Sequence, residues 1–169
     1  MIKSKAVMVA GIIDDIRRVF QVLAEQSRRV ERETGLTASQ LWVIKMLDGA
    51  SPMKVTELAR RMYLHPATMV GLLDRLELKG LVRRTRCDKD RRVVHIIITD
   101  QGRELVINSP EVAQGLLVKG LEPLTDKKVK LIFDGFEQIV KILGVQEEPP
   151  KLIHSSDVNL PRRRRKSIS

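Results

Sequence analysis

The sequence predicts a mainly α-helical domain with one small β-hairpin, and three observations lead there. Apolar residues recur at three- and four-residue steps through most of the stretch 8–143. One stretch, about 81–98, breaks instead into two runs rich in β-branched residues around a charged tip. With 169 residues, 43% of them apolar and 31% charged, the chain has the make-up of one ordinary soluble domain.

The elements follow in order. Ala6 to Ile13, behind Lys3 and Lys5, has the outline of a signal peptide. Asp14 and Asp15 end the run, however, and Ile16, Val19, Phe20, Leu23 and Val30 continue it at helical spacing, so we read a long helix from Val9 to near Gly35. Thr37 and Gln40 form a capping-box pair opening a second helix, with Leu41, Ile44 and Leu47 inward and Gly49 at its end. After a turn at Ser51-Pro52, a short helix spans about Thr56 to Met62, with Leu58 and Ala59 inward. Leu64-His65-Pro66 breaks it, and Pro66 is well suited to start the next helix, which runs to Gly80. Leu81–Arg86 and Arg92–Ile98 are the arms of the hairpin, with Val94, Ile96 and Ile98 on one face. Thr99 caps a helix beginning at Asp100, whose acid suits the positive end of the dipole. At Asn108-Ser109-Pro110 a capping serine followed by a first-turn proline predicts a kink or restart. A last helix runs from about Asp126 to Leu143 with the stripe Val129, Ile132, Phe133, Phe136, Ile139, Val140 and Leu143. Beyond Gly144 periodicity is lost, and residues 146–169 read as a flexible basic tail behind a domain of residues 1–145. No run is long enough to cross a bilayer.

The charge is concentrated. Lysine and arginine outnumber aspartate and glutamate 31 to 21, for a net +10. Residues 54–92 alone hold eleven basic residues against five acids, and residues 145–169 hold six against three. Such an excess points to a polyanion, nucleic acid or an acidic membrane surface. A charged run is also what any solvated face looks like, so the setting decides. Here that setting is a pair of short helices joined by a tight turn, followed by a basic hairpin, an arrangement that lets the second helix enter a major groove. On that helix Met69, Leu72, Leu73 and Leu76 share the core face. His65, Pro66, Ala67, Thr68, Val70, Gly71 and Arg75 remain to approach DNA. On the hairpin Arg83, Arg84, Arg86, Lys89, Arg91 and Arg92 would reach phosphates or a minor groove.

Four stretches carry a resemblance: Leu36-Thr37-Ala38-Ser39-Gln40-Leu41-Trp42; Glu57-Leu58-Ala59; Leu73-Asp74-Arg75-Leu76-Glu77-Leu78-Lys79-Gly80-Leu81-Val82; and Asp88-Lys89-Asp90-Arg91-Arg92 continuing to Ile98-Thr99 and Gly102. Together they resemble the MarR (multiple antibiotic resistance regulator) family of bacterial transcription regulators. The resemblance implies a winged helix-turn-helix lobe over about 36–99 and dimerisation helices over about 8–34 and 100–143. It also implies that Arg92 enters the minor groove with Asp90 orienting it. Val70 and Gly71 stand where many of the family carry threonine and arginine, and they offer a thymine methyl apolar contact only. Pro110 falls inside what is a long unbroken helix in many relatives. A homodimer has a second motive in the sequence itself, because both terminal helices carry apolar stripes that so short a chain must bury somewhere.

Other residues weigh less. In relatives a pocket between dimer base and DNA-binding lobe takes small phenolic anions, so Phe20, Trp42 and Met46 are candidates to line a site for a small aromatic or phenolic effector; core packing is the simpler account of each. Cys87, the single cysteine, sits at the hairpin tip between arginines as either a redox switch or an ordinary thiol. His65, His95 and His154 are scattered, so neither a metal nor another cofactor is expected. No phosphate loop, nucleophile elbow or acid/base pair is present, and an enzyme is not expected. The expectation is a cytoplasmic, sequence-specific regulator of transcription, a ligand-responsive repressor binding double-stranded DNA as a homodimer on a pseudo-palindromic operator. The competing class is a winged-helix module for protein interaction with unspecific polyanion affinity. A charge-rich face argues against it, since the core of a protein interface is depleted of charge.

Overall fold

The computed structural model describes residues 4–86 and 93–148. Helix α1 spans Lys5–Thr34, one turn earlier than the apolar stripe alone predicts, because Ser4 caps it, its hydroxyl accepting from Val7 N–H at 3.4 Å. Gly35 closes it with φ +66°, its N–H donating to Glu31 O. Helix α2, Ala38–Asp48, opens with the capping box: Gln40 N–H donates to Thr37 Oγ1 at 3.3 Å, and Thr37 N–H to Gln40 Oε1 at 3.0 Å. Eight of its residues are buried, more than in any other element, so α2 is the axis around which the rest packs.

Strand β1 is only Met53–Lys54, followed by α3, Val55–Arg61, and α4, Pro66–Leu78. The hairpin is β2, Val82–Arg86, and β3, Val94–Ile98. The sheet therefore has three strands in the order β1-β3-β2, all antiparallel, with Met53 opposite Ile96 and Val82 opposite Ile98. The sequence reading missed β1, since two residues cannot display an alternation; it exists because β3 offers it a paired edge. The β-branched runs place Leu81, Arg92 and Val93 in the hairpin arms. Leu81 and Val93 lie outside the strands, and Arg92 lies outside the described residues.

Leu41, Ile44 and Leu47 of α2, Leu58 of α3, Met69, Leu73 and Leu76 of α4 and Ile96 of β3 fill the core, each fully buried. Burial of each such side chain stabilises the lobe by about 1.5–3 kcal/mol. Helix α5, Asp100–Ile107, is capped by Thr99, whose Oγ1 accepts from Gly102 N–H at 3.1 Å and donates to Gly80 O at 2.8 Å. Gly102 is obligatory here. A Cβ at that position would collide with the carbonyl oxygen of Leu81 and stand 2.8 Å from the Ile98 side chain.

The restart around Pro110 is present, with α6 over Ala113–Leu121 and α7 over Asp126–Leu143, so three helices follow the hairpin where the sequence reading drew two. Its mechanism differs from the expectation. Ser109 does not cap α6; its hydroxyl donates to Val106 O at 2.8 Å, closing α5, while Lys45 of α2 donates to Ser109 O at 3.4 Å and holds the corner. Helix α6 packs on α1 and α2, with Gly115 against the Trp42 ring. Helix α7 has no buried residue.

Candidate nucleic-acid interface

The turn between α3 and α4 sets the position of the whole face. Leu64 N–H donates to Ala59 O at 2.9 Å and Tyr63 N–H to Arg60 O at 3.1 Å, the paired bonds of a Schellman ending, which requires a left-handed residue between them. Tyr63 occupies that position with φ +53°. A side chain there costs roughly 1–2 kcal/mol relative to the right-handed region. His65 then caps α4, its Nδ1 accepting from Ala67 N–H at 3.3 Å, and Pro66 takes the first helical position.

Beyond that cap the outer row of α4 is open. His65, Pro66, Ala67 and Gly71 are exposed, Val70 is 43% exposed, and Thr68 is half-buried. A Cβ built on Gly71 meets nothing within 4 Å. Met69, Leu72, Leu73 and Leu76 take the inner row, as their spacing predicts. Arg75 is half-buried farther along. With Lys79 it borders a hollow of about 410 Å³ against the end of α1 and the start of α2, where the Lys79 ammonium donates to Gly35 O at 3.3 Å.

The wing is fastened to this helix by Arg84. Its Nη1 lies 2.7 Å from Glu77 Oε2 and its Nη2 lies 2.6 Å from Asp74 Oδ1, while its backbone N–H donates to Glu77 Oε1 at 3.0 Å. Both acids are on α4, so one side chain ties the strand to the outer helix through two carboxylates. Water screens the half-exposed Asp74 arm more than the Glu77 arm. The charge pattern points Arg84 at DNA and carries no sign of Asp74 and Glu77 as its partners. The alternation was readable nonetheless, since Arg84 shares a face with buried Val82 and so turns toward the protein. Arg83 and Arg86 are exposed. Lys89, Asp90, Arg91 and Arg92, with Cys87, lie outside the described residues, as do His154 and the segment 149–169.

The three effector-site candidates sit in different surroundings. Trp42 is buried at 8% exposure, Met46 is half-buried against the core, and Phe20 is 67% exposed on α1. An aliphatic groove of about 430 Å³ runs between α1 and α6, with Val19, Val22, Leu116, Leu117 and Leu121 in its walls. Among the described residues no three histidine, cysteine or carboxylate side chains converge on a metal site, and no helix is long and apolar enough to cross a membrane.

Residues 36–94 match the model of the MarR family. The chain is 34% identical over 100 residues to the HTH-type transcriptional repressor MdtR of Bacillus subtilis, an alignment covering 59% of this chain. It spans 64% of that repressor, a little under two thirds of its length. Among solved structures, the transcriptional regulator BldR from Sulfolobus solfataricus superposes with a TM-score of 0.52 at 26% identity, covering 83% of this chain and 99% of BldR. Overoxidised AbfR bound to DNA gives a TM-score of 0.52 at 25% identity, covering 82% and 96%.

Proposed function

From the premise that this chain belongs to the MarR family over residues 36–94, we propose that it is a sequence-specific transcription regulator that binds double-stranded DNA. In this reading it is a ligand-responsive repressor acting as a homodimer on a pseudo-palindromic operator. The observation that carries the reading is the outer row of α4. His65, Pro66, Ala67, Val70 and Gly71 stand clear of the protein on a helix whose other face is locked into the core. That is the geometry a helix needs to lie in a major groove, with its first turn against base edges.

The parts then divide the work. Thr68, Val70 and Gly71 read bases, with His65 and Pro66 at the mouth of the groove. Arg75, Arg86, Lys89 and Arg91 meet phosphates, and Arg92 enters the minor groove with Asp90 orienting it. Arg84 sets the wing against α4 and adds its remaining donors to the backbone contacts. Residues 8–34 and 100–143 supply the dimerisation helices, 36–99 the lobe, and 146–169 further positive charge. The dimer rests on α7, whose stripe includes Phe133 and Phe136 at 59% and 60% exposure, an apolar face that none of the described residues covers. Two-fold pairing would set the two α4 helices about one DNA turn apart, roughly 34 Å. A small aromatic or phenolic effector near Phe20, Trp42 and Met46 would release the operator by changing that separation. Such a protein works in the cytoplasm.

The test is fluorescence anisotropy with a duplex from upstream of the protein's own gene against a scrambled duplex of equal length, over a salt series. Selective binding with a steep salt slope is expected, and Arg92→Ala should weaken it without unfolding the protein. Equal, weak binding of both duplexes would leave unspecific polyanion affinity and overturn the reading.

A further inference from the structure

Two locally unfavourable choices meet in one hydrogen bond. Tyr63 is the one non-glycine residue with positive φ among the described residues, in a turn position that favours glycine. Glu122 caps the C-terminal end of α6, where the helix dipole disfavours a carboxylate. The Tyr63 hydroxyl donates to Glu122 Oε1 at 3.3 Å, across 59 residues of chain. Each residue is the wrong type for its own backbone position, and each makes sense as the partner of the other; departures of this kind mark sites where a side chain has work to do. The two ends of the bond also matter. Tyr63 lies two residues before His65, the cap of α4, and Glu122 ends a helix that packs on α1 and α2.

We propose that Tyr63 is a positioning residue, whose hydrogen bond to Glu122 ties the α3–α4 turn, just ahead of the α4 cap, to the end of α6. The placement of the outer α4 face then depends on the helical arm as well as on the lobe's core, and a displacement of α6 is felt at His65, Pro66 and Ala67. The consequence for DNA rests on the function proposed above; the tie itself does not.

Hydrogen–deuterium exchange on the full chain, free of DNA, tests the tie at the amides of residues 64–70. Tyr63→Phe removes only the hydroxyl, and Glu122→Ala only the acceptor. Each should speed exchange there roughly threefold to tenfold, the scale of one lost hydrogen bond, with the double variant no faster than either single one. Glu122→Gln keeps an acceptor and should stay near wild type. Tyr63→Gly relieves the backbone and should leave the melting temperature unchanged or raised, as expected if the tyrosine is not required by the turn itself; a marked fall would place its role in the turn and overturn the proposal. Wild-type exchange in Tyr63→Phe overturns the proposal. So does a response to Tyr63→Phe with none to Glu122→Ala, because the phenol would then act without its partner. With the upstream duplex, both Tyr63→Phe and Glu122→Ala should weaken affinity by a similar factor; a loss confined to Tyr63→Phe would mean a direct DNA contact and would also overturn the proposal. Failure of the wild-type protein to bind that duplex would count against the proposed function alone, since exchange is measured without DNA.

Discussion

Helices α2 and α7 both carry apolar residues at helical spacing and meet opposite fates. Leu41, Ile44 and Leu47 of α2 are at 0% exposure, whereas Phe133 and Phe136 of α7 are more than half exposed. The difference lies in the neighbours. Helix α2 is wrapped by α1, α4, α5, α6 and β3, while α7 leaves the lobe after α6 and buries none of its residues. An apolar stripe in a sequence therefore states that a face must be covered, and says nothing about whether the same chain covers it. The face of α2 is covered by its own chain, whereas that of α7 stays open among the described residues, which is the face the proposed dimer would cover.

The largest expected effect comes from breaking the covered core. Leu73→Ala, at a fully buried position of α4, should cost about 2–5 kcal/mol of stability, read as a lower midpoint in urea denaturation. An unchanged midpoint would mean that the lobe's core is not the source of its stability. Helix α7 should behave in the opposite way. Phe136→Asp puts a charge on the open stripe and should convert a dimer to a monomer in light scattering, at a cost of about 2 kcal/mol or more in association, while the lobe keeps its fold. Loss of folding instead would show that α7 covers part of its own chain. The smallest effect sharpens the comparison within α4. Because a Cβ at Gly71 meets only open space, Gly71→Ala should raise stability by about 0.5–1 kcal/mol in thermal unfolding. Under the proposed function operator affinity should fall at the same time, read by fluorescence anisotropy, because the added methyl would stand between the helix and the groove.

The two arginines Arg84 and Arg86 repeat the lesson on a smaller scale. They lie on the same face of β2 and share one residue type, yet Arg84 is clamped by Asp74 and Glu77 and Arg86 is exposed. Charge counting treats them alike. Alternation from Val82 puts both on the inward face, so it does not tell them apart; the acids that receive Arg84 come from α4, and only packing brings that helix alongside the strand.

Much of the architecture was written locally. The capping box of Thr37 and Gln40, Pro66 at the first position of α4, Thr99 before Asp100 and the glycine closures of α1 and α7 all depend on residues within one turn of each other, so the chain specifies them before any long-range contact forms. The inner row of α4 and the hairpin were likewise readable, because periodicity is a property of a single segment. What the fold alone decided involves partners distant along the chain: β1, which exists only beside β3; the clamp on Arg84; the separate helix α6 folded across α2; and the left-handed Tyr63, whose hydroxyl finds Glu122. The physical reason is the same in each case. Local signals set the conformation a segment prefers, whereas pairing an edge, neutralising a charge or offsetting a strained residue requires a group that only tertiary packing delivers.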